Sequence, residues 1–243
     1  MMHRWLRVLM GLGTLVPAAG GIYPQADSSK QRPAEGTIRV LPQLDARYKF
    51  NEQDHSTFLI WIRNAIKESV AFRRPAIIVD KEDHKLYLIR GTKLVLRYPV
   101  EIGGYNPYDP KTMIYDGCTP EGLYQVTEVE EGGSTKYQRA FLIDYPNAED
   151  RARYARLRKE RRIPSDRSIG GQVEIHGGGT GFAGNDFGRD WTAGCVALAN
   201  EYMDQLASHV GVGTRVVIVR YGTRFPDELA PGLPNLFRWE RKD

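Results

Sequence analysis

Two side chains in this 243-residue chain stand in surroundings that suit nucleophilic chemistry, His176 and Cys195. His176 closes Val173-Glu174-Ile175-His176, whose β-branched residues predict a strand, and opens onto Gly177-Gly178-Gly179. Cys195 follows Trp191-Thr192-Ala193-Gly194 and stands just before a predicted helix. A thiol becomes a nucleophile at neutral pH when a nearby base takes its proton, and backbone N–H groups at a tight turn stabilise the resulting charge. The N–H groups of Ala193, Gly194 and Cys195 can also hold the oxyanion of a tetrahedral intermediate, and Gly194 permits close approach. His176 is accordingly the expected proton acceptor, titrating near the ordinary histidine value of ~6.5 unless its surroundings move it. Thr192 is read either as fixing the turn or as lying near substrate.

Strands and a few helices must deliver these groups. Runs rich in β-branched and aromatic residues predict strands over 76–80, 85–90, 93–102, 122–129, 140–145, 171–175 and 215–221, with Gly91-Thr92 as a hairpin turn. Helical spacing of Phe58, Leu59, Ile62, Ala65, Ile66 and Val70 after the cap Asn51 predicts a helix that packs one face on the domain after it. Further helices are predicted over 147–162 and 200–210. Mainly strands with a few inserted helices make the fold class α+β and not a doubly wound parallel sheet.

With 41% hydrophobic and 26% charged residues, the chain can build a sizeable core. Its 34 Lys and Arg against 30 Asp and Glu leave +4, which demands no nucleic acid. Two cysteines are too few for a disulfide scaffold or a four-thiolate zinc site. Residues 1–20, cationic and then apolar with Pro17-Ala18-Ala19-Gly20 at the end, have the layout of an export signal, with an uncleaved anchor as the alternative. The protein is therefore expected in the periplasm or cell envelope. Residues 21–50 read as a tether, 51–72 as the packing helix, 75–222 as the catalytic domain and 223–243 as a tail.

Other candidates are weighed singly. Cys118 reads as an unpaired small hydrophobe, or as a redox partner able to block Cys195. The basic run Arg151, Arg153, Arg156, Arg158, Lys159, Arg161, Arg162 reads as a solvated face, or as the border of a groove for an anionic polymer; without interleaved aromatics it is not a nucleic-acid motif. His84 is expected to be solvated in a polar hairpin turn, while His55 and His209 are expected on helices without a role. Tyr105, Tyr108 and Trp191 are candidates for lining a peptide groove.

Taken together, His176-Gly177 and Thr192-Ala193-Gly194-Cys195-Val196 resemble the signature of the L,D-transpeptidase catalytic domain of bacterial cell-wall enzymes: a strand ending in His-Gly, a loop, then Ser/Thr-x-Gly-Cys-Ile/Val. Tyr98-Pro99-Val100 running into Gly103-Gly104, Thr119-Pro120-Glu121-Gly122-Leu123-Tyr124, and Tyr145-Pro146-Asn147 extend the resemblance over roughly Pro75 to Tyr221. It implies a β-rich domain in which Cys195 attacks the carbonyl of the third residue of a peptidoglycan stem peptide while His176 takes the thiol proton. It further implies that the Gly177 carbonyl orients the imidazole, that D-alanine leaves, and that an amine or water resolves the thioester, with no metal and no cofactor. Ala197 stands where the family often has an arginine, so carboxylate recognition is expected from Arg189 or the basic helix. The run from Gly194 to Asp204 is nearer a subgroup that includes a hydrolase detaching lipoprotein from murein. Amide hydrolysis, with a murein-linked lipoprotein as partner, is therefore the alternative to transfer. An inert wall-binding domain and a metal hydrolase using His176 with Cys195 or Cys118 are the readings from other classes. Membrane contact is expected only through the N-terminal segment.

Overall fold

The computed structural model describes residues 46–49, 51–181 and 190–222. The export segment, most of the tether, Arg189 and the C-terminal tail lie outside the described residues.

Helix α1 (Glu52–Phe72) begins where Asn51 accepts the Asp54 N–H at 2.9 Å, with Glu52 and Asp54 placed where the helix dipole favours anions. Its apolar stripe is buried from Phe58 to Ile66 as the spacing predicts, but Val70 is exposed near the helix end, where Ser69 is the buried residue, and the helix ends at Arg73 in the left-handed conformation. Strands β1 (Pro75–Asp80), β2 (Lys85–Arg90), β3 (Lys93–Pro99), β4 (Gly122–Glu131) and β5 (Arg139–Ile143) come next, then helix α2 (Ala148–Lys159). Strands β6 (Glu174–His176) and β7 (Val196–Ala197), helix α3 (Asn200–Ala207) and strand β8 (Arg215–Val219) complete the order. The strands form one eight-stranded sheet in the order β3-β2-β1-β8-β4-β5-β6-β7, with β1–β8 and β6–β7 parallel and the other neighbours antiparallel. This is an α+β fold.

Alternating side chains of the central strands feed two cores. Ile77, Val79, Leu86, Leu88, Val216 and Ile218 join Phe141, Ile175 and Val196 on one face. Ile78, Tyr87, Ile89, Val217 and Val219 meet the α1 stripe on the other. Because both faces are covered, these strands are nearly continuous apolar runs.

Several boundaries differ from expectation for local reasons. Strand β3 stops at Pro99, which has no N–H to donate, and the chain continues as single bridges, Glu101 to Ala197 and Gly103 to Thr192. The strand before His176 starts only at Glu174, because Gly170 and Gln172 have positive φ, 84° and 54°, and interrupt the extended chain. Helix α3 ends at Ala207, which leaves His209 in the following turn. Asn147 caps α2 from outside, accepting from Glu149 and Asp150 N–H at 2.9 and 3.1 Å, and the Asp150 carboxylate accepts the Asn147 N–H in return.

Behind the sheet lies a buried ion cluster. Glu121 accepts from Lys81 Nζ at 2.9 Å and from Arg220 Nε and Nη2, each at 3.0 Å. Lys81 also donates to the carbonyls of Asp109 and Thr119. Burial alone would raise the Glu121 carboxyl, but Lys81 and Arg220 beside it outweigh burial and hold it below the usual range. Replacing Glu121 by Gln leaves two buried cations short of an anion, so we expect a loss of about 3–5 kcal/mol in chemical denaturation. The depressed carboxyl stabilises the fold above its ordinary titration range, and that contribution disappears as pH falls through its folded value. A Glu121→Gln variant with unchanged stability and unchanged acid sensitivity would refute this account.

Candidate active site

Strand pairing brings the two expected groups to one cavity, without a hydrogen bond between them. His176 pairs with Ala197 and Ile175 with Val196, so Cys195, one residue before β7, lies next to Glu174. The Glu174 N–H points at Cys195 Sγ at 3.4 Å, and Sγ lies 3.9 Å from the Gln172 carbonyl oxygen. Cys195 and His176 line one cavity of about 660 Å³ with Trp191, Thr192, Ala193, Gln172 and Glu174, faced by Glu130, Lys136 and Tyr137 from β4 and the β4–β5 loop.

The imidazole is held by one nitrogen only. Its Nδ1 is 2.6 Å from the Gly177 carbonyl oxygen, which can only accept, so Nδ1 carries the proton and Nε2 keeps its lone pair. Nε2 is buried and has no hydrogen-bond partner. Tyr137 stacks on the ring with centroids 3.6 Å apart and planes 7° from parallel, and Trp191 meets it edge-on at 5.9 Å. Gly177 must lack a side chain here, since a Cβ would lie 2.4 Å from Asn200 Oδ1, the atom that accepts the Gly178 N–H at 2.8 Å.

The pair rests neutral. Burial pulls the His176 imidazole down to about 4, against a smaller upward pull from the Gly177 bond; Lys136 lowers it and Glu101 raises it. The expectation of a base near the ordinary histidine value is thereby corrected. Burial likewise raises the Cys195 thiol, with the Glu174 N–H, Lys136 and Lys111 acting the other way.

Thr192 builds the turn that presents Cys195. Its hydroxyl donates to the Cys195 carbonyl at 2.7 Å and accepts the Gly194 N–H at 3.2 Å. Gly194 is thus turned away from the oxyanion role expected for it, and the Ala193 and Cys195 N–H groups remain the candidates. Gly194 has φ 135°, and a Cβ would come within 2.6 Å of the Cys118 carbonyl oxygen. The turn is also tied from behind, because Asp190 accepts the Ile102 N–H at 2.9 Å and meets His84 Nε2 at 2.9 Å. His84 is therefore buried and paired, not solvated in its hairpin turn as its polar neighbours suggest.

Other expectations separate here. Cys118 is a free, buried thiol directed at the Asp116 carbonyl, and burial, with Asp116 adding to it, pushes it up to about 12. That suits an inert small hydrophobe and not a reactive partner for Cys195. Trp191 lines the cavity, whereas Tyr105 is exposed away from it and Tyr108 packs edge-on against Tyr48 at 5.0 Å. No side chain of the basic helix α2 is among the cavity's lining residues. Arg189 lies outside the described residues. Lys136 and Tyr137 carry no motif that would have marked them, but Glu101 does carry a signal, an acid in the otherwise apolar Val100-Glu101-Ile102. Among the described residues no group of three or more His, Cys, Asp or Glu side chains is arranged to hold a metal ion, and no helix is long and apolar enough to cross a membrane.

Among solved structures, the chain is similar to Bd1075 of Bdellovibrio bacteriovorus, at 25% identity over 62% of this chain and 49% of that one, with a TM-score of 0.43. It is also similar to the L,D-transpeptidase of Xylanimonas cellulosilytica, at 16% identity over 60% of each chain and a TM-score of 0.40. The helical cell shape determining protein Pgp2 of Campylobacter jejuni is similar at 20% identity over 75% of this chain and 63% of that one, with a TM-score of 0.44. The chain thus spans from 49% to 63% of the length of these three. None of the curated proteins compared with the chain matches it. The sequence pattern of the L,D-transpeptidase catalytic domain, YkuD, matches residues 74–218, the stretch that holds the described strands, save the last residue of β8, together with the His176 and Cys195 motifs, and the chain belongs to that family.

Proposed function

We propose that the protein is an exported enzyme that transfers the acyl group of a peptidoglycan stem tetrapeptide through a thioester on Cys195. The observation that carries this reading is an imidazole pinned at Nδ1 by the Gly177 carbonyl, with Nε2 bare, in the same cavity as the Cys195 thiol.

Because burial favours the neutral form of both groups, proton transfer accompanies attack instead of preceding it. Sγ bonds to the carbonyl carbon of the third stem residue as its proton passes to His176 Nε2, and the oxyanion is met by the N–H groups of Cys195 and Ala193. The bond to the D-alanine nitrogen then breaks, and the Nε2 proton goes to that leaving amine. An incoming amine attacks the thioester, gives its proton to Nε2, and the thiolate leaves and recovers that proton. Water in place of the amine gives hydrolysis by the same steps.

Ala197 favours keeping hydrolysis as the second reading. It is fully buried, and its backbone is bonded to Glu101, so it offers no arginine to a substrate carboxylate. Lys136 is the cation that lines the cavity, and the proposal gives it the role first expected of Arg189 or the basic helix. A murein-linked lipoprotein is the partner that hydrolysis would serve.

Purified protein given tetrapeptide muropeptides should yield cross-linked tripeptide stems when an amine acceptor is present. Shortened or lipoprotein-free stems alone would assign hydrolysis, and a Cys195→Ala variant with full turnover would remove the mechanism. Acylation of Cys195 by a carbapenem, followed by intact mass, tests the base. Its rate should stay level from pH 6 to 8 and fall only towards about 4, where His176 takes a proton in the folded state. His176→Asn should slow acylation by roughly 10²- to 10⁴-fold and abolish that acid limb. An inflection near ~6.5 in the wild type would show an imidazole in ordinary aqueous surroundings.

A further inference from the structure

Glu101 is 1% exposed and sits beside the site without taking part in the steps above. Its backbone exchanges hydrogen bonds with Ala197, N–H to carbonyl at 3.0 Å one way and 2.8 Å the other, and Ala197 in turn pairs with His176. One carboxylate oxygen accepts the Thr180 N–H at 2.9 Å and the Thr180 hydroxyl, and the other accepts the Trp191 indole N–H. A single buried carboxylate therefore fastens both the Gly-rich loop that leaves His176 and the aromatic wall that meets its ring.

Among the described residues its partners are all neutral donors. A buried anion held by neutral dipoles keeps its field, which a counter-ion would cancel. The cavity that holds His176 is also lined by Lys136 and Tyr137 from the β4–β5 loop, by Trp191 and Cys195 from the turn before β7, and by the carboxylates Glu130 and Glu174, while Glu101 lies behind Trp191 and acts on the imidazole from there. Lys136 opposes a positive imidazole, and the Gly177 carbonyl contributes a dipole on the Nδ1 side. Of these three carboxylates Glu101 is the one that is buried, whereas Glu130 and Glu174 are partly exposed.

We propose that Glu101 is a positioning residue of the His176–Cys195 pair: it locks Thr180 and Trp191 around the imidazole and supplies the negative charge that balances His176 when the thiol proton arrives. This deepens the thioester reading and rests on it. No bond is made or broken at Glu101, and the proton stays on His176 Nε2 until it passes to the leaving amine.

The test uses the full chain with Glu101→Gln and Glu101→Asp, each checked for folding by near-UV circular dichroism. Two readouts are followed: the rate of Cys195 acylation by a carbapenem, and the His176 titration by NMR. The titration is compared in a Tyr137→Ala background, where loss of the stacked ring uncovers the imidazole and brings it into a pH range the fold tolerates. Glu101→Gln should lower the His176 titration by roughly one unit and slow acylation about tenfold, because the charge is gone while the shape remains. Glu101→Asp keeps the charge but is too short to hold Thr180 and Trp191 together, so it should slow acylation with little movement of the titration. An unmoved titration in Glu101→Gln would reduce Glu101 to a structural tie, and wild-type acylation in either variant would overturn the proposal. Should the Gln variant not fold, the Asp variant decides, since full rate or a fallen titration there contradicts the proposal. A wild-type Cys195 that is never acylated would instead sink the thioester reading, and the titration comparison would still decide whether the Glu101 charge acts on His176.

Discussion

The site depends on the bond between His176 Nδ1 and the carbonyl of the very next residue. A carbonyl cannot donate, so this contact chooses the tautomer and leaves Nε2 as the basic atom without any acidic side chain on Nδ1. For the carbonyl to turn back on the ring, Gly177 must occupy space that Asn200 denies to a Cβ, and the loop must hold that curvature. Asn200 does so by accepting the Gly178 N–H, and Leu198 by accepting the Gly179 N–H at 2.8 Å. The glycines after His176 and the first residue of helix α3 are therefore parts of one device.

The thiol is placed by a second device. Thr192 closes its turn, Thr119 accepts the Gly103 N–H at 2.9 Å and reaches the Cys195 carbonyl at 3.4 Å, and the Cys118 carbonyl presses where a side chain on Gly194 would stand. The two devices share the two-residue strand β7, hydrogen-bonded to β6 on one side and to Glu101 on the other, and meet again where Trp191 touches the His176 ring. A strand of two residues has little stability of its own. Its register here is set by neighbours on both sides, which explains how so short an element can set the spacing between His176 and Cys195.

The central strands were legible in the sequence because burial on both faces leaves uninterrupted β-branched runs, and 85–90 agrees residue for residue with β2. Helix α1 was legible from its cap and stripe. Strand β7 was not, since Val196-Ala197 followed by a helix-forming run carries no period of its own. His84 went astray because four polar neighbours predict water, whereas the tie to Asp190, distant in sequence, buries it. Cys195 and His176 could be named from local motif, and the Gly177 contact from the family resemblance. The depth of the imidazole could not, because it comes from Tyr137, a loop residue contributed by another part of the sheet.

The chain treats its buried charges in two opposite ways, and the difference reflects the task of each. At the rear, Glu121 is fully matched by Lys81 and Arg220, a static arrangement that pins the 109–121 segment and hence the platform behind Gly194. Such a cluster gives little net stability over an apolar core, but it resists rearrangement because breaking any one pair strands the others. At the front, the partners of Glu101 among the described residues are neutral donors and His176 rests uncharged. On the thioester reading, the charge on His176 appears when the thiol proton moves and vanishes when the amine leaves, and a carboxylate held by neutral donors can balance it without a fixed counter-ion cancelling its field. On that reading, the matched cluster holds the 109–121 segment in place while the Glu101 carboxylate answers a transient charge.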